Sequence, residues 1–160
     1  MSFRTDYSPN QSMPEEMEFF KEEIINEILA IPCQKPDMER LLKTLVDITV
    51  EDKKLIKTEK GLSNEGQILT GYKLIVKLRI KEKITYVADH CTQSVHAAHY
   101  ETIKNLFIII PETIDGQDVC VLLKRGKLRI TPYLECVESR MLDARTIHKC
   151  VMLIVEAKKI

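Results

Sequence analysis

The sequence KLIVKLRIKEKITY, residues 73–86, decides the fold. Its apolar residues fall on every second position and are separated mostly by charged residues. The alternating apolar positions are Leu74, Val76, Leu78 and Ile80, and the series resumes at Ile84 and Tyr86. Alternation with a period of two residues is typical of a β-strand that has one buried and one exposed face. The stretch therefore predicts a half-buried β-strand.

The same period continues on both sides of this strand, from about residue 43 onward. Further predicted strands are Val46–Val50, Leu55–Thr58, Ile68–Thr70, Val95–Tyr100, Leu106–Ile110, Val119–Leu123, Leu128–Val137 and Thr146–Ala157. Turn-forming residues lie between them, at Gly61, Asn64–Gly66, Asp115–Gly116 and Arg125–Gly126. Many short strands without interleaved helices favour a mainly β fold, an antiparallel β-sandwich or open barrel.

Residues 14–30 are predicted to form one N-terminal amphipathic helix. Ser12 and Glu15 have the spacing of a capping box, and Pro14 lies where the first helical turn accepts proline. An apolar stripe at helical spacing consists of Met17, Phe20, Ile24 and Ile28, with Ile25 beside it. The stripe has to pack on the protein's own sheet or on a partner. Prolines 32 and 36 then end the helix, and a shorter helical turn could follow around Asp37–Leu45.

The chain of 160 residues suits one domain with two N-terminal additions. Residues 1–13 are polar and aperiodic and are expected to form an arm. The predicted helix occupies residues 14–30, and the β-domain occupies residues 31–160. No apolar run approaches the 18 or so residues of a membrane-spanning helix, so membrane insertion is not expected. The first residues have no apolar signal core, so secretion by the usual route is not expected either.

The chain has no net charge, with 24 basic and 24 acidic residues, which argues against a general nucleic-acid binder. The charge is nevertheless uneven, because residues 1–40 hold nine acids and only four bases. One face of the predicted strand is basic and comprises Lys73, Lys77, Arg79, Lys81 and Lys83. This face could follow a polyanion, receive the acidic helix of a neighbouring copy, or simply be solvated. No aromatic residues interleave with it, which favours the solvated face.

The densest group of chemically versatile side chains contains His90, Cys91, His96 and His99. These residue types bind zinc, but their spacing matches no established zinc motif, and His96 and His99 point to opposite faces of a strand. Cys91 or Cys150 with His148 could form a nucleophilic pair, yet no oxyanion-forming glycine cluster lies nearby. We therefore expect no catalytic residues, no metal and no cofactor, and a protein that is not an enzyme.

Five cysteines are spread along the chain, at Cys33, Cys91, Cys120, Cys136 and Cys150. Without a signal peptide, reduced and partly buried thiols are the default expectation. Because five is an odd number, at least one thiol has no internal partner in an oxidising environment and could form an intermolecular disulfide. The spacing leaves the connectivity open.

Several motifs give the chain a family resemblance. They are Ile31-Pro-Cys-Gln-Lys-Pro-Asp-Met-Glu-Arg40, Ser63-Asn-Glu-Gly-Gln-Ile-Leu-Thr-Gly71, Tyr86-Val-Ala-Asp89, Gln93-Ser-Val-His-Ala-Ala-His99 and Leu142-Asp-Ala-Arg-Thr-Ile147, followed by a strand to Glu156. In this order they resemble the SPOCS domain, a domain of unknown function found in clostridial spore-coat and sporulation proteins. Family members often continue into a peptidoglycan-binding LysM module, which does not follow here, so cell-wall anchoring is not expected.

The resemblance implies a structural protein of the bacterial spore envelope, in the coat, the exosporium or a surface appendage. Such a protein would be made in the mother-cell cytoplasm and would form a homo-oligomer or polymer through its β-domain, helix and arm. The cysteines could then lock copies together by disulfides. Other spore-coat proteins are further candidate partners. The alternatives are an adaptor that binds another coat protein without polymerising and, less favoured, a zinc enzyme that uses the histidine cluster.

Overall fold

The computed structural model describes residues 12–66, 68–69 and 71–160. Within them the protein is mainly β, with 68% of residues in strands and 4% in helix, which confirms the predicted mainly β, antiparallel class. The elements are β1 (Phe19–Ala30), β2 (Met38–Lys57), β3 (Gly61–Leu62), β4 (Ile68–Leu69), β5 (Tyr72–Ala88), β6 (Val95–Ile109), β7 (Thr113–Ile114), β8 (Gln117–Asp118), α1 (Val119–Lys124), β9 (Leu128–Met141) and β10 (Thr146–Lys159).

The long strands form two antiparallel sheets of three strands each. Sheet 1 has the order β1-β10-β9, and sheet 2 has the order β2-β5-β6. Two small hairpins, β3-β4 and β7-β8, complete the described strands. β5 and β10 are therefore the central strands of their sheets, and β5 contains the alternating stretch from which the fold was predicted.

Burial along β5 follows the predicted alternation. The even-numbered residues Leu74, Val76, Leu78 and Ile80 are completely buried. The residues between them are Ile75, Lys77 and Arg79, and all three are partly exposed. Inward residues of both sheets share one hydrophobic cluster, in which β5 residues meet Val137 of β9 together with Leu153 and Val155 of β10. A second, smaller cluster includes Ile84, Tyr86 and Ile147 near the other end of the strands. The two sheets are thus held together mainly by apolar burial between their inner faces.

The predicted helix over residues 14–30 is wrong, since Phe19–Ala30 form strand β1, which pairs with β10 along its whole length. Three of the apolar residues on which the prediction rested, Phe20, Ile24 and Ile28, are four positions apart, and a spacing of four fits the period of a strand as well as that of a helix. Neighbouring residues decide between the two: Ile25 is buried and Ile24 is exposed, as alternation requires. Ser12 and Glu15 therefore cap no helix.

Two shorter predictions also fail. Val119–Leu123, predicted as a strand, lie in helix α1, where the Asp118 carboxylate accepts hydrogen bonds from the backbone N–H groups of Cys120 and Val121. Val119 and Leu122, three residues apart, both face the core, which a helix permits and a strand does not. The helical turn around Asp37–Leu45 is instead the start of β2. The predicted arm, residues 1–13, lies almost entirely outside the described residues.

Candidate functional site

A row of apolar side chains covers the outer face of sheet 1. Phe20, Ile24 and Ile28 of β1 are 46%, 51% and 68% exposed. Met152 of β10, the register partner of Ile24, is 41% exposed and continues the row onto the central strand. The predicted interaction residues are therefore brought onto one face, but by a strand and not by a helix; Met17, before β1, is half-buried. Contiguous exposed apolar patches of this kind commonly mark interaction surfaces.

Acidic side chains border this row. Glu22 lies on the same face of β1 between Phe20 and Ile24, and it is exposed. The exposed residues Glu15, Glu16 and Glu18 precede the strand. The outer face of sheet 1 thus combines apolar contact area with negative charge at its β1 side.

The outer face of sheet 2 has the opposite charge. Its basic residues are partly neutralised, because Arg79 pairs with Glu51 and Glu101, and Lys77 pairs with Glu51 at 3.3 Å. Within the described residues Lys81 and Lys83 form no ion pair, and both are exposed. They border a shallow depression of about 690 Å³ that crosses all three strands of the sheet. Apolar residues that are 38–42% exposed share the outer face of the sheet: Leu45, Ile103, Phe107 and Ile109.

All five cysteines are free thiols in this structure. Cys136 and Cys150 lie diagonally on the outer face of the adjacent strands β9 and β10, since Cys136 is paired with Met152 and not with Cys150. Diagonal partners are about 7–8 Å apart, beyond the usual span of a disulfide. Burial, reinforced by the nearby Glu138 carboxylate, raises the pKa of both thiols. A smaller fraction of each is therefore in the reactive thiolate form at neutral pH.

The more accessible thiols lie at one end of the molecule. Cys33 and Cys91 are both exposed, whereas Cys120 on α1 is half-buried. The loops that carry the two exposed cysteines are neighbours, because the Asp89 N–H donates to the Asp37 carbonyl at 2.9 Å. Intermolecular disulfide formation is thus sterically easiest at this end.

The histidine cluster does not converge on one point. His90 Nδ1 lies 3.2 Å from the Thr92 hydroxyl and 3.5 Å from Cys91 Sγ in an exposed turn. His96 stacks on Tyr86 with ring centroids 5.8 Å apart, and its Nε2 lies 3.0 Å from the Ser94 hydroxyl. No three His, Cys, Asp or Glu side chains among the described residues are grouped closely enough to hold a metal ion. The described residues likewise show no hydrogen bond between His148 and either Cys91 or Cys150.

Four of the five motifs behind the family resemblance meet at one end of the molecule. They are residues 31–40, 86–89, 93–99 and 142–147, whereas the described residues of the fifth, 63–66, 68–69 and 71, lie at the opposite end of β5. The Ile31 N–H donates to the Arg145 carbonyl at 2.8 Å, and the Tyr86 hydroxyl donates to the Pro36 carbonyl at 2.9 Å. The Gln93 side-chain amide donates to the Glu39 carboxylate at 3.0 Å. The motif residues therefore share a structural task, which is to close this end of the domain.

The Arg145 side chain makes more hydrogen bonds at this end of the molecule than any other side chain in the described part of the chain. Its guanidinium donates to the Lys35 carbonyl at 3.1 Å and to the Asp37 carboxylate at 2.7 Å. It also donates to the carbonyls of Ile31 and Pro32 at 3.1 and 2.9 Å. Hydrogen bonds from its own backbone N–H, and from Thr146, hold the pKa of Asp143 below its ordinary value. One side chain thus fixes the whole connection between β1 and β2, and the sequence reasoning did not single it out.

A charged cluster lies inside the domain, between the two hydrophobic clusters. Lys149 of β10 is completely buried, and its ammonium group contacts Glu27 Oε2 of β1 at 2.9 Å and also Glu82 Oε1 of β5. Glu82 is 2% exposed, and its second oxygen, Oε2, has no hydrogen-bond partner within the described residues. Burial raises the pKa of Glu82, and the hydrogen bond from Lys149 opposes that shift. Beside them the buried hydroxyl of Thr44 donates to that of Ser139 at 2.9 Å.

The alternating pattern did contain a signal for this buried cluster. Glu82 occupies an even position of β5, on the same face as Ile80 and Ile84. Lys149 occupies the buried parity of β10, between Ile147 and Val151. A single charged residue that interrupts a buried apolar series on each of two strands predicts a pair inside the core.

Comparisons with family models, curated proteins and solved structures found no match. The resemblance drawn from the motifs therefore remains a prediction. No helix in the described part of the chain is long and apolar enough to cross a membrane.

Proposed function

We propose that this protein is a non-catalytic structural subunit of the bacterial spore envelope that polymerises by contact between its two outer sheet faces. The observation that carries the proposal is the exposed row formed by Phe20, Ile24 and Ile28, continued by Met152. The free energy of a subunit in water falls when such a row is covered, because apolar surface is removed from contact with water. The occupant that we propose is the outer face of sheet 2 in a second copy.

Charge complementarity favours this pairing of unlike faces. The row on sheet 1 is bordered by Glu22 and the preceding acids, whereas Lys81 and Lys83 project from sheet 2 without partners in the described part of the chain. Sheet 2 also offers exposed apolar side chains, among them Ile103 and Phe107, to meet the row. Opposite charges around apolar contacts promote encounter and select the orientation of the partner.

A contact between two different faces has a consequence for the assembly. Inner copies of such a polymer have both faces covered, whereas the two end copies keep one free face each, sheet 1 at one end and sheet 2 at the other. Growth therefore continues unless the rotation between copies closes a ring. Open growth suits a coat, an exosporium or an appendage. The finer architecture that we propose is a sandwich, since each three-stranded sheet turns one face to the common core and keeps the other for contact.

Disulfides could fix such an assembly after it forms. Cys33 and Cys91 are the accessible thiols, whereas Cys136 and Cys150 are hindered by burial and by their raised pKa. The spore location itself rests on the motif resemblance. Immunolabelling of sporulating cells of the species that makes this chain is the check on it, and label confined to the vegetative cytoplasm contradicts the location.

Light scattering on the purified protein tests the polymer. We expect large particles for the wild type, and an association weakened about tenfold or more by the double variant Ile24→Ser, Ile28→Ser, since central apolar contacts dominate interfaces. Leu62→Ser is the matched control, because Leu62 is 72% exposed but lies in the distant β3-β4 hairpin. A single small species for the wild type, with and without reductant, overturns the proposal and favours the adaptor.

A charge reversal on the outer face of sheet 2 tests whether this face contacts the outer face of sheet 1 in a second copy. Lys81→Glu with Lys83→Glu is expected to weaken assembly, whereas Lys124→Glu with Lys127→Glu changes the net charge equally at exposed positions at the end of α1 and just after it, away from the outer face of sheet 2. Adding Glu22→Lys to the first pair is expected to restore part of the association. Equal effects of the two lysine pairs would mean that net charge alone governs assembly and would contradict the proposed contact.

A further inference from the structure

The buried cluster brings one amine and two carboxyl groups together in the core. Lys149 Nζ contacts Glu27 Oε2 at 2.9 Å and Glu82 Oε1, and the three residues come from β10, β1 and β5. Lys149 and Glu82 therefore belong to different sheets. The residues that flank them on the inner faces, Ile80 and Ile84 beside Glu82 and Ile147 and Val151 beside Lys149, are completely buried and exclude water.

Full ionisation of this cluster is costly. It would place the charges of Lys149 and Glu82 in a region of low dielectric constant beside the half-buried Glu27 carboxylate, and a buried ion is strongly disfavoured unless it is well paired. The Glu82 carboxylate is incompletely paired, since Oε2 has no hydrogen-bond partner within the described part of the chain. Burial is the largest cause that raises the pKa of Glu82, and the negative charge of Glu27 adds to it. Both causes favour the neutral carboxylic acid.

We propose that Lys149 and Glu82 condense into an intramolecular amide, in which Lys149 Nζ is bonded to Glu82 Cδ. Glu27 accepts a proton from the Lys149 ammonium group and so frees the lone pair of the amine. The amine attacks Cδ of the protonated Glu82 carboxyl group, and Glu27 returns the proton to the departing hydroxyl. Glu27 then takes the second proton from the nitrogen and ends as a neutral carboxylic acid, so that the amide carries one N–H. The C–N bond forms, one C–O bond breaks and one water molecule leaves. No oxidant, reductant or other co-reactant is needed.

The amide accounts for features that an ion pair leaves unexplained. Condensation turns the Lys149 amine and the Glu82 carboxyl group into one neutral amide and so removes the desolvation cost of the buried charge. One of the two Glu82 oxygens departs with the water, so the carboxyl oxygen without a partner no longer exists. Glu27, which already lies at hydrogen-bond distance from Nζ, remains to hydrogen-bond the amide. The product joins sheet 1 to sheet 2 covalently and without cysteine.

Intact mass spectrometry of the denatured and reduced protein decides the proposal. We expect the mass of the chain less one water molecule, and fragmentation that yields one cross-linked peptide containing both Glu82 and Lys149. Trypsin does not cleave after an acylated lysine, so Lys149 stays internal in that peptide. A chain with the full mass, or a water loss located elsewhere, overturns the proposal. The measurement is made on separated chains and is therefore independent of the proposed assembly.

Three variants identify the reacting groups. Lys149→Met is expected to keep the full mass, and Glu27→Gln is expected to stay largely unlinked, because the proton relay is missing. Glu82→Gln can still react but loses ammonia, so its final mass becomes identical to that of the linked wild type. A Glu27→Gln chain that is linked as completely as the wild type contradicts the relay. If a variant fails to fold, the mass of the wild type still decides whether the bond forms.

Discussion

Arg145 shows how much structure one side chain can organise. Its guanidinium binds three backbone carbonyls and one carboxylate, and all four acceptors belong to the connection between β1 and β2. A guanidinium group offers five donors in a fixed plane, whereas a lysine ammonium offers three on a flexible stem. The role of Arg145 is therefore geometric as well as electrostatic.

Arg145→Lys is expected to destabilise the domain by about 1–2 kcal/mol, because several of the hydrogen bonds are lost while the charge is kept. Urea unfolding measures this change. Arg129→Lys, at an exposed position of β9, is the matched control and is expected to change stability by no more than about 0.5 kcal/mol. Equal stabilities of the two variants would show that the contacts of Arg145 contribute nothing beyond its charge.

Residue-level prediction from the sequence succeeded where a pattern repeats and failed where a contact is long-range. The alternation through Leu74 and Ile80 gave the buried face of β5 directly. The partners of Arg145 are more than a hundred positions away along the chain, and no local spacing indicates them. Glu82 and Lys149 were detectable singly as charges on buried positions, but their proximity required knowledge of how the two sheets pack.

β1 is the element whose identity the sequence left ambiguous. Phe20, Ile24 and Ile28 fit both periods because four residues are about one helical turn and also two strand repeats. The capping-box spacing at Ser12 and the position of Pro14 favoured a helix in the prediction. Pairing with β10 overrides these local preferences, since β-structure depends on partners that are distant in sequence.

Alanine substitutions at two adjacent positions separate the strand from a helix. Ile25→Ala is expected to destabilise the domain by about 2–4 kcal/mol because it leaves a cavity in the core, whereas Ile24→Ala costs about 1 kcal/mol or less. Chemical unfolding should be measured on reduced, dilute protein, in which association does not contribute. Similar losses at the two positions would contradict the alternation of β1.

At the scale of the whole molecule, the two sheets are also joined by a polar link. Thr44 of β2 donates to Ser139 of β9 at 2.9 Å, and both side chains are buried. This contact crosses from an edge strand of sheet 2 to an edge strand of sheet 1. It lies beside the cluster around Lys149, since Ser139 is the register partner of that lysine.

A double-mutant cycle measures this link. Thr44→Val and Ser139→Ala are each expected to cost about 1–2 kcal/mol, because each leaves a buried hydroxyl or cavity behind. The double variant is expected to cost clearly less than the sum, with a coupling energy of about 0.5–2 kcal/mol. Unfolding free energies of the four proteins provide the test. Strict additivity would mean that the hydroxyl contact does not join the sheets.

The position of β10 between β1 and β9 imposes an order on biosynthesis. All strands of sheet 2 lie between β1 and β9 in the chain, so β2, β5 and β6 can pair on the ribosome before β10 is made. During that time β1 has no strand to pair with, because its neighbour in sheet 1 is β10. Closing the long loop between β1 and β10 is entropically the most demanding step. A nascent chain thus cannot present the finished outer face of sheet 1. Under the proposed packing, a subunit can join the polymer only after its β10 has been translated, which keeps shorter nascent chains and their ribosomes out of the polymer.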